Sequence, residues 1–245
     1  MKSTDILSAE LELNIGTEKK RFNIRVPENA TNPQSILPFV QDVANEVINV
    51  AIVESENNGK KITCQKGCGA CCSQLVPISE TEIRYIAKMI KSMPKVKKQK
   101  LMHRFKEAKK AFEGAGLWDE LMHPQTLPIE RRREFGLAYF DVKQDCPFLE
   151  DGACSIHKDR PIACREYLVT SDPEFCNNPK EGKIDGVKVS NAPSNALGQL
   201  YDDDVNHTSN WVPLIVAPFW QGEYSNLPTK RSGKDWVERF LKNLR

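Results

Sequence analysis

Eight cysteines fall into two groups in a chain of 245 residues: Cys64, Cys68, Cys71 and Cys72, then Cys146, Cys154, Cys164 and Cys176. Thiolates gathered this closely repel one another unless a cation neutralises them. The chain is therefore expected to fold around a metal ion or an iron–sulfur cluster. Disulfides are the alternative. Against them, Met1-Lys2-Ser3-Thr4-Asp5 leads into an alternating segment and not an apolar signal sequence. Cysteine is also far below the ~8% share of a disulfide scaffold. The expected location is the cytoplasm, where thiols stay reduced.

With 40% hydrophobic residues, 28% charged residues and a net charge of +2, the chain can build an ordinary core, so a metal need not be all that holds the fold. No uninterrupted apolar stretch approaches the ~20 residues of a membrane span. The longest candidate, Trp211 to Trp220, is short and holds Pro213 and Pro218.

Alternation at Leu7, Ala9, Leu11, Leu13 and Ile15, resumed at Phe22, Ile24 and Val26 after a Gly16–Lys20 loop, predicts an N-terminal β-hairpin. Ile36, Val40, Val43, Val47 and Val50 recur at helical spacing behind Ser35, a candidate N-cap, and Asn57-Asn58-Gly59 stops that helix. Ser79 and Glu82 form a capping box for a helix ending at Pro94. Further helices are expected over 96–112, over 128–140 and from Ser232 onward, with a short strand over 186–189. The fold class is α+β: a helix-rich single domain with irregular cysteine loops forming a metal site and an N-terminal β-hairpin. Residues 1–30 are expected to form a hairpin appendage and 31–245 the cysteine-cluster domain, with its motif core at 64–167.

Cys64-x3-Cys68-x2-Cys71 can curl three sulfurs toward one centre, with Gly67 and Gly69 allowing a tight backbone. Cys72 adjoins Cys71, and neighbouring side chains diverge, so one of the two serves a second metal position or stays free. In the second group the gaps are seven, nine and eleven residues, a weak pattern by itself. Four thiolates around a divalent ion leave a charge of about −2. Arg160 and Arg165 stand where they could offset it and donate N–H bonds to sulfur, or form surface ion pairs with Asp159 or Glu166. The three-cysteine spacing also matches the radical S-adenosylmethionine signature. Ala70 stands where those enzymes usually carry an aromatic residue, and helices follow in place of βα units, so that reading is set aside.

Taken together, Cys-x3-Cys-x2-Cys-Cys, then Cys146-Pro147-Phe148-Leu149, Gly152-x-Cys154-x-Ile156 and Arg160-Pro161-x-x-Cys164-Arg165 resemble the YkgJ-type cysteine-cluster family, described as zinc- or iron-chelating. The resemblance covers roughly Cys64 to Tyr167. It implies Cys64, Cys68, Cys71, Cys72, Cys146, Cys154 and Cys164 as metal ligands. Cys176 lies outside the pattern. Flagellin lysine methylase is similar in its cysteine region, which leaves a group-transfer enzyme as the alternative to an electron-transfer or structural role. All-thiolate ligation and the three-cysteine loop place an iron–sulfur cluster ahead of Zn2+, with Cys146 as the expected fourth corner.

His157 lies between Cys154 and Cys164 and is read as a neighbour of the site or a surface residue. The lysine-rich stretch from Lys91 to Lys110 lacks interleaved aromatics on its basic face, so it is read as a solvated helix and nucleic acid is not an expected partner. Asp202-Asp203-Asp204 is read as a solvated acidic run. The expected partner is another protein, such as a redox partner, and not a membrane.

Overall fold

The computed structural model describes residues 5–65, 67–201, 211–220 and 230–244. The Asp202–Asp204 run lies outside them. The chain begins with Ile6–Ile15 (β1) and Glu18–Pro27 (β2), paired antiparallel from Ile6↔Pro27 to Ile15↔Glu18. The turn is thus Gly16-Thr17 alone, shorter than the expected loop. Lys19 and Lys20 continue the ladder, and Lys20 is held by Glu18 at 2.7 Å and by Glu46 at 3.3 Å. Period-two alternation buries Phe22, Ile24 and Val26 on one face.

That face packs on Leu37–Asn57 (α1), which buries Val40, Val43, Ala44 and Val47. Each fully buried Val or Ile contributes about 2 kcal/mol. A single turn, Pro33–Ile36, precedes α1, and Ser35 sits inside it without capping anything. Proline at the first helical position, which needs no N–H partner, fixes the start in place of a serine cap. Although no uninterrupted apolar run spans it, the stretch Pro33–Asn57 is long and apolar enough to cross a membrane by length and composition; half of its apolar window is buried inside the protein.

After the first cysteine loop come Pro77–Ser79 (β3), Glu80–Ser92 (α2), Lys95–Gly114 (α3) and Trp118–Met122 (α4). The capping box on α2 is present in full, with Ser79 and Glu82 each satisfying the other's backbone N–H. The helix expected over 128–140 divides into a turn at Ile129–Arg131 and a helix at Arg132–Asp141 (α5). Next are Leu149–Glu150 (β4), Ala153–Cys154 (β5), Ile162–Glu166 (α6) and Pro193–Gly198 (α7). Trp211–Pro213 (β6) pairs with β3, and Gly233–Asn243 (α8), capped by Ser232, closes the described chain. The strand expected over 186–189 is one bridge, Gly186 to Val169, because no second strand lies alongside to extend it among the described residues.

Two apolar cores result. One joins the hairpin face to α1, α7 and α8, and includes Ile162 of α6. The other joins α2 to α5 with β3, β6, Phe148 and Ile156. Cys146 and Cys154 pack against the second core, while α6, carrying Cys164, is anchored in the first. Tyr85 packs against both cores. Cys146, Cys154 and Cys164 therefore lie along the seam between them.

Candidate metal centre

The first cysteine loop is tied down at both ends. Thr63 N–H donates to Val169 O at 3.0 Å, and Val169 N–H donates to Cys64 Sγ at 3.3 Å. Cys71 and Cys72 occupy a single turn, Ala70–Ser73, closed by Cys72 N–H to Gly69 O at 2.9 Å. The decisive link to the second group is a backbone bond, Cys146 N–H to Cys72 O at 2.8 Å.

The second group is more ordered than its spacing suggests. β4 and β5 form a two-residue hairpin whose turn residues, Asp151 and Gly152, have φ of 50° and 76°. Asp-Gly suits a turn that needs positive φ twice. The register sets Cys154 opposite Leu149, whose N–H donates to Cys146 O at 2.8 Å, so Cys146 and Cys154 share one end of the hairpin. Arg104 of α3 clamps it from outside, donating to Pro147 O at 2.7 Å and pairing with Glu150. Phe148 anchors it edge-on to Phe105, with ring centres 5.4 Å apart. The first loop rests on this hairpin so closely that a Cβ on Gly69 would lie 2.8 Å from Leu149 Cδ1 and 3.1 Å from Gly152 O.

Cys164 rides on α6. Five residues make a weak helix, and outside bonds hold it. Glu82 Oε1 accepts the Ile162 N–H at 2.8 Å. Cys176, which lies outside the motif, is 3% exposed in the turn Pro173–Asn177. Gln74, two residues after Cys72, donates to its carbonyl at 3.1 Å. It is buried without joining either apolar core, so core filling does not explain it.

All eight cysteines are free thiols. The fields they exert on one another mark them as neighbours: Cys64 and Cys176 feel Cys71 and Cys68, and Cys72, Cys146 and Cys164 also feel Cys71 or one another. Cys71 stands at the middle of both sets. Burial pushes the thiols of Cys64, Cys154, Cys164 and Cys176 up, and that of Cys146 up to about 12. The Cys72 thiol donates to Cys71, which lowers Cys71 and raises Cys72. Among the described residues no group of three or more His, Cys, Asp or Glu side chains is arranged as a ready metal cage.

Of the two arginines, Arg160 faces the sulfurs. Its charge lowers the thiols of Cys64, Cys71 and Cys154. Its Nε is buried without a hydrogen-bond partner among the described residues. Arg165 turns elsewhere: Nε donates to Arg160 O at 3.1 Å, Nη1 to Asn45 Oδ1 at 3.2 Å, and Nη2 to Lys158 O. It positions the segment bearing Arg160, and these N–H bonds go to oxygen instead of sulfur. His157 is exposed, its Nε2 3.0 Å from Arg160 Nη1.

An all-sulfur donor set fits a soft metal. The orphaned Arg160 Nε–H fits an acceptor such as a metal-bound thiolate or sulfide. This is the chemistry of a cysteine-cluster, metal-binding protein on an α+β fold. Residues 63–182, a segment that takes in all eight cysteines, match the family model described as "CxxCxxCC: Putative zinc- or iron-chelating domain". No curated protein and no solved structure matches the chain.

Proposed function

We propose that Cys64, Cys68, Cys71, Cys72, Cys146, Cys154 and Cys164 supply the ligands of an iron–sulfur cluster, with Cys176 beside them, and that the centre serves electron transfer or holds the fold together. The observation that carries this reading is the Cys146 N–H to Cys72 O bond, which joins two cysteine groups far apart in sequence. When bound, the cluster would supply a one-electron couple. The protein's part is to present half-buried thiols from several segments and to place Arg160 against the negative charge. Zinc bound by the same thiols is the other metal that the family description covers.

A group-transfer enzyme would need a groove opening on the thiols. Two cavities lie away from the thiols, one between the hairpin, α1 and α8, the other beside α2. Anaerobic purification followed by metal and sulfide analysis and a visible spectrum tests the reading. A brown protein holding iron and acid-labile sulfide is expected. A colourless protein with stoichiometric zinc would replace the cluster by a zinc centre, and a chain that retains neither metal would refute both.

A further inference from the structure

Arg84, Lys88 and Lys91 stand four and three residues apart and so share one face of α2, beside the face that buries Ile83, Ile86 and Ile90. They border a cavity of 1300 Å³ that Lys98, from the first turn of α3, also lines. Arg84 is held by Glu80 and lies over the Trp220 ring, 4.9 Å from its centre. The three lysines have no carboxylate partner among the described residues. Lys98 instead donates to Lys91 O at 3.2 Å, which holds its ammonium against the last turn of α2. No acidic side chain is among the described residues lining the cavity.

Like charges three and four residues apart on a helix disfavour it. A concave wall of one sign also concentrates field inside the cavity and draws in ions of the other sign. Across from α2 lies the turn before α1. Ser35, which does not cap the helix, is among the residues lining the cavity there. Ammonium groups without a carboxylate partner call for a ligand rich in anionic oxygen. Met102 and Pro218 give the same cavity an apolar side for the ligand's body.

We propose that this cavity binds a small phosphate-bearing molecule, its oxygens held by Lys88, Lys91 and Lys98. Phosphate suits lysine, which binds it as a point charge, and a polyvalent anion answers three uncompensated cations at once. The site is independent of the metal reading: its lining contains no cysteine.

Titration calorimetry of the full, metal-loaded chain with inorganic tripolyphosphate tests this. Saturable binding of one tripolyphosphate per chain is expected, weakened about ten-fold or more in Lys88→Ala/Lys91→Ala. Lys98→Ala, which removes the third ammonium from the lining, is expected to weaken it several-fold. Lys100→Ala/Lys106→Ala, on α3 and outside the lining, is expected to leave it unchanged, with circular dichroism confirming the fold of each variant. Three results would overturn the proposal: no saturable binding, equal losses in the control variant, or tighter binding of a glutamate-rich peptide, which would mark a protein-docking surface instead.

Discussion

Glu82 Oε1 accepts the backbone N–H of Ile162 at 2.8 Å, and so a residue of the α2 capping box also fixes the start of the helix that carries Cys164. Its other oxygen accepts the Ser79 N–H at 3.0 Å and hydroxyl at 2.8 Å. The carboxylate is buried, and burial pushes its pKa up against the opposing pull of these donors and of Arg165. In the pH window between the ordinary glutamate value and that raised one, the folded chain holds a proton that the unfolded chain has released. Stability credited to Glu82 therefore falls as pH rises through the window.

Glu82→Gln is expected to cost about 1–2 kcal/mol, since the amide keeps an acceptor for Ile162 but presents N–H to Ser79. Glu82→Ala is expected to cost about 3 kcal/mol, because it strands buried donors at both ends. Glu80 and Glu166 are raised in the same direction, so the comparison of wild type with Glu82→Gln isolates the one group. Urea denaturation across the mildly acidic range is the measurement. A stability difference between the two proteins that is constant with pH would contradict the assignment.

The two arginines of the Arg160–Arg165 segment should separate by phenotype. Arg165→Ala removes donors to two backbone carbonyls and Asn45. It is expected to cost about 2–3 kcal/mol in denaturant unfolding. Arg160→Met leaves those bonds alone and takes a positive charge from the thiols. With a cluster bound, this should lower the reduction potential by roughly tens of millivolts, since net charge near the cluster sets the potential. Redox titration reads that shift; a potential equal to wild type would remove Arg160 from the centre.

The first cysteine loop depends on the absence of one methyl group. Gly69→Ala places a Cβ against Leu149 and the Gly152 carbonyl, and the backbone oxygen at 3.1 Å cannot move as a side-chain methyl can. The expected cost is about 1–3 kcal/mol, with part of the metal lost. Adding Leu149→Ala should recover some stability by relieving the 2.8 Å contact, but not all, because the Gly152 contact remains. Metal retention and melting temperature in the single and double variants decide this. Wild-type behaviour in the single variant would mean that the loop is not seated on the hairpin as described.

What the sequence disclosed were features written in neighbouring residues. The β1–β2 hairpin follows from strict alternation, α2 from Ser79 and Glu82, and α8 from Ser232, whose box is completed by Asp235. The site was legible as a list of thiols but not as an arrangement. Asp151-Gly152 is a hairpin signal in plain view, yet its two-residue strands are too short to show alternation, so the second cysteine group read as irregular. α6 has no local code of its own, because Glu82 and Arg165 hold it through distant partners. Ser35 misled for the opposite reason. A serine before an apolar helix is an ordinary cap, but Pro33 had already begun the turn.

Cys176 had no signature because its neighbours come from across the fold. The turn Pro173–Asn177 lies against Ala70–Ser73, Gln74 bonds the Cys176 carbonyl, and Tyr167 bonds its thiol. A buried thiol beside Cys64, Cys68 and Cys71, outside both apolar cores, is placed to act with them. Cys176→Ser is therefore expected to lower metal content per chain. Cys176→Ala should do so too, which separates lost ligation from an added hydroxyl. As an apolar filler, the same residue would lose only about 1–2 kcal/mol on truncation to Ala and leave the metal in place. Metal analysis of both variants after identical anaerobic purification distinguishes these outcomes. Wild-type metal content in Cys176→Ala would assign the thiol to packing alone.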